Sequence, residues 1–162
     1  MCASKAAEAA TESPSIAPLI DLLSSEMARV NTTILDRMDS KVPLVPQLAG
    51  HLIASGGKRM RPMMTIAGAM LGSGDEAVRA PAVKLATAVE FIHSATLLHD
   101  DVIDESKLRR GQNTANALWG NDASVLVGDF LFARAFELMV EAGDMAVLGR
   151  LAAAAARITE GE

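Results

Sequence analysis

Several residue types are scarce in this chain, and each scarcity closes off a class of function. Cysteine occurs once, as Cys2. A disulfide framework is therefore excluded, and a reducing cytosolic setting fits. Tyrosine is absent and aromatics make up 3% of the chain, so it holds no stacking platform for nucleobases. Positive charge is also short. A net charge of −5 gives no basic face for nucleic acid. No apolar run approaches the ~18 residues that span a bilayer. The first ten residues lack the apolar core of a secretory signal, and Glu8 and Glu12 count against a mitochondrial presequence. Alternating strand patterns are missing as well. Ser124–Phe132 is the nearest thing to a strand, and Asp129 with the flanking Ala and Arg pulls it back to helix. There is no internal repeat, no simple phosphate-loop pattern and no zinc-protease pair of histidines around a glutamate.

What remains is a helical protein. Its 162 residues, 50% of them hydrophobic, suffice for one domain with a real core. Ala, Leu, Met, Glu and Arg favour helix. Residues 1–14 read as a disordered tail closed by Pro14. Ser15 caps a helix to Met38, whose apolar positions Ile16, Leu19, Leu22, Leu23, Met27, Val30 and Ile34 step by three and four. A second helix runs from Pro43 to Ser55 and stops at Gly56-Gly57. Pro62 opens a Met- and Ala-rich third helix that ends near Gly72–Gly74. From Ala80 a long helix reaches Asp104, with Leu85, Val89 and Ile92 along a buried stripe. Arg109–Gln112 form a turn, and a short helix holds Leu118-Trp119. Asn121 or Asp122 caps a helix to Val140, and Asp144 caps a last one through Ile158. The residues predict an all-α chain.

Three charged elements carry the chemistry. The first is Asp100, Asp101 and Asp104, set in apolar helix beside Leu97, Leu98, Val102 and Ile103. His93, Asp100 and Asp104 fall within about 20° of one stripe at 100° per residue. Like charges one turn apart repel, and partial burial raises the cost. A hard cation such as Mg²⁺ relieves both, and usually keeps phosphate oxygens among its ligands. The second element is Lys58, Arg59 and Arg61 behind two glycines at a helix start, an anion trap. The third is Arg109-Arg110, suited to phosphate. Taken singly, the acids read as a solvated face and the cations as a basic loop. His93, His99 and His51 singly read as core histidines, Met60–Met70 as core, and Gly128-Asp129 as close helix packing beside a buried acid. Together the three elements describe anionic groups meeting at Mg²⁺, which fits ionisation of a diphosphate beside an apolar pocket.

The sequence resembles the all-trans polyprenyl diphosphate synthases. The residues that carry this are Gly56-Gly57-Lys58-Arg59-Met60-Arg61-Pro62, Phe91 through Asp104, Glu105 through Gly111, Val125 through Leu131, and Glu160-Gly161-Glu162. The long-chain octaprenyl and decaprenyl synthases of ubiquinone side-chain synthesis look most alike. The resemblance implies a helical bundle of the isoprenoid synthase type, residues 15–162 forming its N-terminal part. It also implies Mg²⁺-dependent head-to-tail condensation of an allylic diphosphate with isopentenyl diphosphate. Asp100 and Asp104 would hold Mg²⁺ on the allylic diphosphate, with Asp101 assisting and Arg109 contacting that same diphosphate. Lys58, Arg61, His93 and Arg110 would bind isopentenyl diphosphate. Ala95 and Thr96, both small, would floor the elongation pocket and permit a long product. The family implies a cytoplasmic homodimer that passes its product to a membrane.

The family carries a second aspartate-rich motif on a later helix. Asp122, Asp129 and Asp144 are isolated and do not supply it. The expectation is an N-terminal half that ends mid-helix at Glu162, with little synthase activity alone. Other readings stay open: a non-catalytic subunit of a heteromeric synthase, a class I terpene cyclase, or a plain helical bundle with an acidic patch. Gly56 through Pro62 speaks against the cyclase, which needs no isopentenyl diphosphate site.

Overall fold

The computed structural model describes residues 15–54 and 57–161; the expected disordered tail, residues 1–14, lies outside them. Eight helices and one small hairpin make up the described residues. The helices are α1 (Ala17–Leu22), α2 (Ser24–Arg37), α3 (Leu44–Ala54), α4 (Met60–Gly72), α5 (Glu76–Ile103), α6 (Ala115–Trp119), α7 (Asn121–Ala142) and α8 (Met145–Gly161). The first differs from the expected single helix: it breaks at Leu23, which caps both pieces and is itself fully buried.

The long helix α5 is the axis. Its buried positions include Val83, Ala86, Phe91, Ala95, Leu98 and Asp101, and they nearly encircle it, as in a helix packed on all sides. It packs chiefly on α7 and α4, and next on α2. From α7 come Val127, Leu131, Ala135 and Leu138, spaced by three and four; Met63 and Ile66 come from α4, Val30 and Ile34 from α2. Each of the Val, Leu, Ile and Met side chains contributes about 1.5–3 kcal/mol by leaving water.

Close approach of α5 and α7 is fixed by one glycine. A Cβ added at Gly128 would sit 2.6 Å from Cδ2 of His99. The close packing expected there is present. The buried acid is not: Asp129 has a side chain 66% exposed, with its Oδ1 3.6 Å from His99 Nε2. A glutamate or aspartate at that helical position faces outward once Gly128 has taken the contact face.

Helix ends follow their local chemistry. Pro62 lies in the first turn of α4, where an N–H has no partner to lose. Gly143 ends α7 in a left-handed conformation, φ 79°. Asp144 Oδ1 then accepts from the backbone N–H of Ala146 (2.9 Å) and Val147 (3.0 Å), starting α8. The expected turn after the aspartates is a two-stranded antiparallel hairpin, β1 (Leu108–Arg109) with β2 (Gln112–Asn113). Arg110 (φ 52°) and Gly111 (φ 79°) form its tip, both left-handed as a tight hairpin turn requires. No helix of the described residues is long and apolar enough to cross a membrane.

Candidate active site

Two cavities open along α5. One, of about 520 Å³, is lined by Lys58, Arg61, His93, Arg109 and Arg110, among others. The other, of about 590 Å³, is largely apolar: Val89, Ile92, Thr96 and Ile103 of α5, Phe132 of α7, and Leu151, Ala154, Ala155 and Ile158 of α8. They share Arg61, His93 and Leu97 in their walls, and Asp100 lines the apolar one. The structure thus gathers Lys58, Arg61, His93 and Arg110 around one chamber.

The three aspartates divide. Asp100 is half-buried and Asp104, the residue that caps α5, is exposed. The backbone N–H of Asp104 donates to the carbonyl of Asp100 at 2.8 Å, so the two stand one helical turn apart. Among the described residues, neither side chain has a hydrogen bond or ion pair. Asp101 is turned inward and 4% exposed. Its carboxylate takes Arg109 Nη2 at 2.8 Å and Nε at 3.1 Å. The bond to Asp101 raises the Arg109 pKa further above its ordinary value. Asp101 and Arg109 thus pair with each other in this structure.

The hairpin is latched to the end of α5. Asn116 Nδ2 donates to the carbonyls of Asp101 (3.0 Å) and Ser106 (3.1 Å), and Thr114 Oγ1 donates to Ser106 O at 2.8 Å. This fixes the strand that carries Arg109 and the tip that carries Arg110. At the other wall, Arg59 caps α4 with φ 48° and pairs with Glu90 of α5, Nη1 to Oε1 2.7 Å. Lys58 and Arg61, on either side, have no ion pair among the described residues. Burial, and then the Arg61 charge, hold the His93 pKa below its usual value, so the ring is neutral at pH 7.

His99 stacks on Phe132, ring centroids 6.1 Å apart, with Nε2 3.3 Å from Val125 O. His51 meets Trp119 edge-on at 5.3 Å on the rim of the cationic chamber. Ala95 is fully buried in the core and lines neither cavity, while Thr96 faces the apolar one. The two side chains part because neighbouring helical positions differ by 100°. Glu90, Asn116 and Thr114 were not singled out in the sequence. Glu90 had a signal: it sits one turn before His93.

Asp100 and Asp104 offer two hard oxygen donors on one face. Among the described residues no group of three or more His, Cys, Asp or Glu is arranged to hold a metal ion. Two carboxylates suit Mg²⁺, which completes its octahedron with phosphate oxygens and water.

A family model, Polyprenyl synthetase, matches residues 42–162. The chain belongs to the polyprenyl synthetase family. Octaprenyl diphosphate synthase of Escherichia coli (strain K12) is 46% identical over 142 residues, covering 88% of this chain and 43% of the relative. Among solved structures, a decaprenyl diphosphate synthase from Rhodobacter capsulatus superposes with a TM-score of 0.84 at 53% identity, over 91% of this chain and 45% of that one. A Caulobacter crescentus CB15 polyprenyl synthase, crystallised with calcium and isoprenyl diphosphate, gives 0.85 at 56% identity, over 93% and 45%. This polyprenyl synthetase chain spans a little under half the length of these relatives, and it shares their all-α isoprenoid synthase fold over that span.

Proposed function

We propose that this chain forms one half of a long-chain trans-polyprenyl diphosphate synthase, which condenses an allylic diphosphate with isopentenyl diphosphate. The observation that carries this is the pair of cavities divided by a common wall: a cationic chamber for one diphosphate, and an apolar one headed by Asp100 for a growing chain. Lys58, Arg61, His93 and Arg110 hold isopentenyl diphosphate. His93, kept neutral, donates one ring N–H to it and adds no repulsion against the arginines. Asp100 and Asp104 would hold Mg²⁺ beside the allylic diphosphate, where the ion would supply Lewis-acid stabilisation of the leaving diphosphate. Arg109, oriented by Asp101, lends positive potential beside that diphosphate. The apolar walls keep water from the allylic carbon until the isopentenyl double bond attacks it. The isopentenyl unit, now a tertiary cation, then gives up its C2 proton to the departed diphosphate, and a new double bond completes the product.

Thr96, Ala154 and Ala155 leave the apolar chamber open, which suits a long product such as the ubiquinone side chain. The proposed working enzyme is a cytoplasmic homodimer that hands its product to a membrane. The Caulobacter relative, with its calcium and isoprenyl diphosphate, supports this reading. So does the long-chain product in the names of the Escherichia and Rhodobacter relatives. The second aspartate-rich motif implied by the resemblance would lie in the length that this chain does not span. The test is a prenyl-transfer assay with Mg²⁺, farnesyl diphosphate and isopentenyl diphosphate. The 162-residue chain alone should turn over orders of magnitude more slowly than a full-length relative, and co-expression with the remaining half should restore activity. Absence of activity in the reconstituted pair would reject the proposal.

A further inference from the structure

The cationic chamber contains more positive charge than it presents. Of its lining residues, Arg59 is engaged by Glu90 (2.7 Å), as Arg109 is by Asp101 (2.8 Å). The Arg59–Glu90 pair is well covered, with side chains 19% and 11% exposed. Arg59 also holds a left-handed backbone, φ 48°, which costs a residue with a Cβ about 1 kcal/mol. Such a conformation persists only where its surroundings enforce it. The side chain of Arg59 runs to Glu90, three residues before His93 on the same wall. The residues flanking Arg59 in sequence, Lys58 and Met60, and then Arg61, line the chamber as well.

We infer that Glu90 acts on the chamber's charge: it withdraws Arg59 from the anion and leaves Lys58 and Arg61 to meet the diphosphate. The pair sets how many charges the chamber offers and from which side. This inference rests on the reading of the chamber as a diphosphate site. It differs from a plain helix-to-helix ion pair in one respect. If the pair only braced α4 on α5, its loss would lower stability and leave anion affinity alone.

A double-mutant cycle separates these cases. Inorganic pyrophosphate is titrated calorimetrically into the 162-residue chain in chelator-treated buffer at low and moderate salt, with a circular dichroism melt for each variant. Arg59→Met keeps the backbone preference and leaves the Glu90 carboxylate bare beside the anion. It should weaken binding by about tenfold, the size of one uncompensated charge at such range. The double variant Arg59→Met/Glu90→Gln removes that charge and should return to within about threefold of the wild type. Glu90→Gln alone frees Arg59, and should tighten binding several-fold with a steeper salt dependence. A double variant as weak as Arg59→Met would show that Arg59 touches the anion itself and would overturn the inference. So would unchanged affinity in Glu90→Gln, which conserves size and serves if the methionine variant does not fold. Failure of the wild type to bind pyrophosphate would instead overturn the diphosphate reading, and this inference with it.

Discussion

At 100° per residue, Asp101 cannot share the stripe that carries Asp100 and Asp104, and its carboxylate turns to Arg109 instead. Their substitutions should therefore separate. Asp100→Ala should abolish Mg²⁺-dependent uptake of pyrophosphate by calorimetry while leaving the urea midpoint nearly unchanged, because its side chain bonds to nothing among the described residues. Asp101→Asn should do the reverse to stability. It leaves Arg109 without its counter-charge and should cost about 1–3 kcal/mol in urea unfolding, the lower part of that range because Arg109 is partly exposed. His93 gives a pH signature. Its folded pKa lies below the unfolded value, so the unfolded chain takes up the proton first as pH falls. The stability of the neutral ring is complete above the ordinary histidine range and declines through it on acidification. His93→Gln should flatten that part of the curve of melting temperature against pH between about pH 7 and pH 5; an identical slope in both proteins would remove His93 as its source.

Between elements, the decisive contact is Gly128 of α7 on His99 of α5. Gly128→Ala should cost about 1–3 kcal/mol by overpacking, and His99→Ala in the same chain should recover much of it. Equilibrium denaturation of the two single variants and the double measures this. Most helices were legible from apolar spacing alone, and so were the stops at Gly143 and the cap at Asp144. The break at Leu23 was not, because Leu22 and Leu23 continue the periodic pattern across it. Nor was the hairpin: strands of two residues carry no alternation, although Arg110-Gly111 did signal a turn. The split of the aspartates could have been read from the helical angle. The Arg59–Glu90 and Asn116–Asp101 links could not, since they join residues whose proximity arises only when helices pack. Likewise, only the bundle shows that Ala95 is fully buried while Thr96 lines the apolar cavity.

For the molecule as a whole, the apolar chamber is walled by α5, α7 and α8, and its size is set where these converge. In a full-length synthase carrying this segment, Thr96→Phe should shorten the product distribution on reversed-phase analysis. Ala95→Phe should mainly destabilise, since a fully buried alanine leaves no room for a ring. The described residues also expose large apolar side chains, including Leu71 (90%), Met145 (77%), Met64 (66%) and Leu126 (65%). Sedimentation of the 162-residue chain should accordingly show concentration-dependent association.

Arg61, His93 and Leu97 belong to both chambers at once. A party wall of this kind means that neither tenant can be rehoused without disturbing the other. Under the proposed assignment, engineering aimed at a bulkier primer through Leu97 would also shift affinity for the incoming five-carbon unit, and the two effects would have to be tuned as a pair.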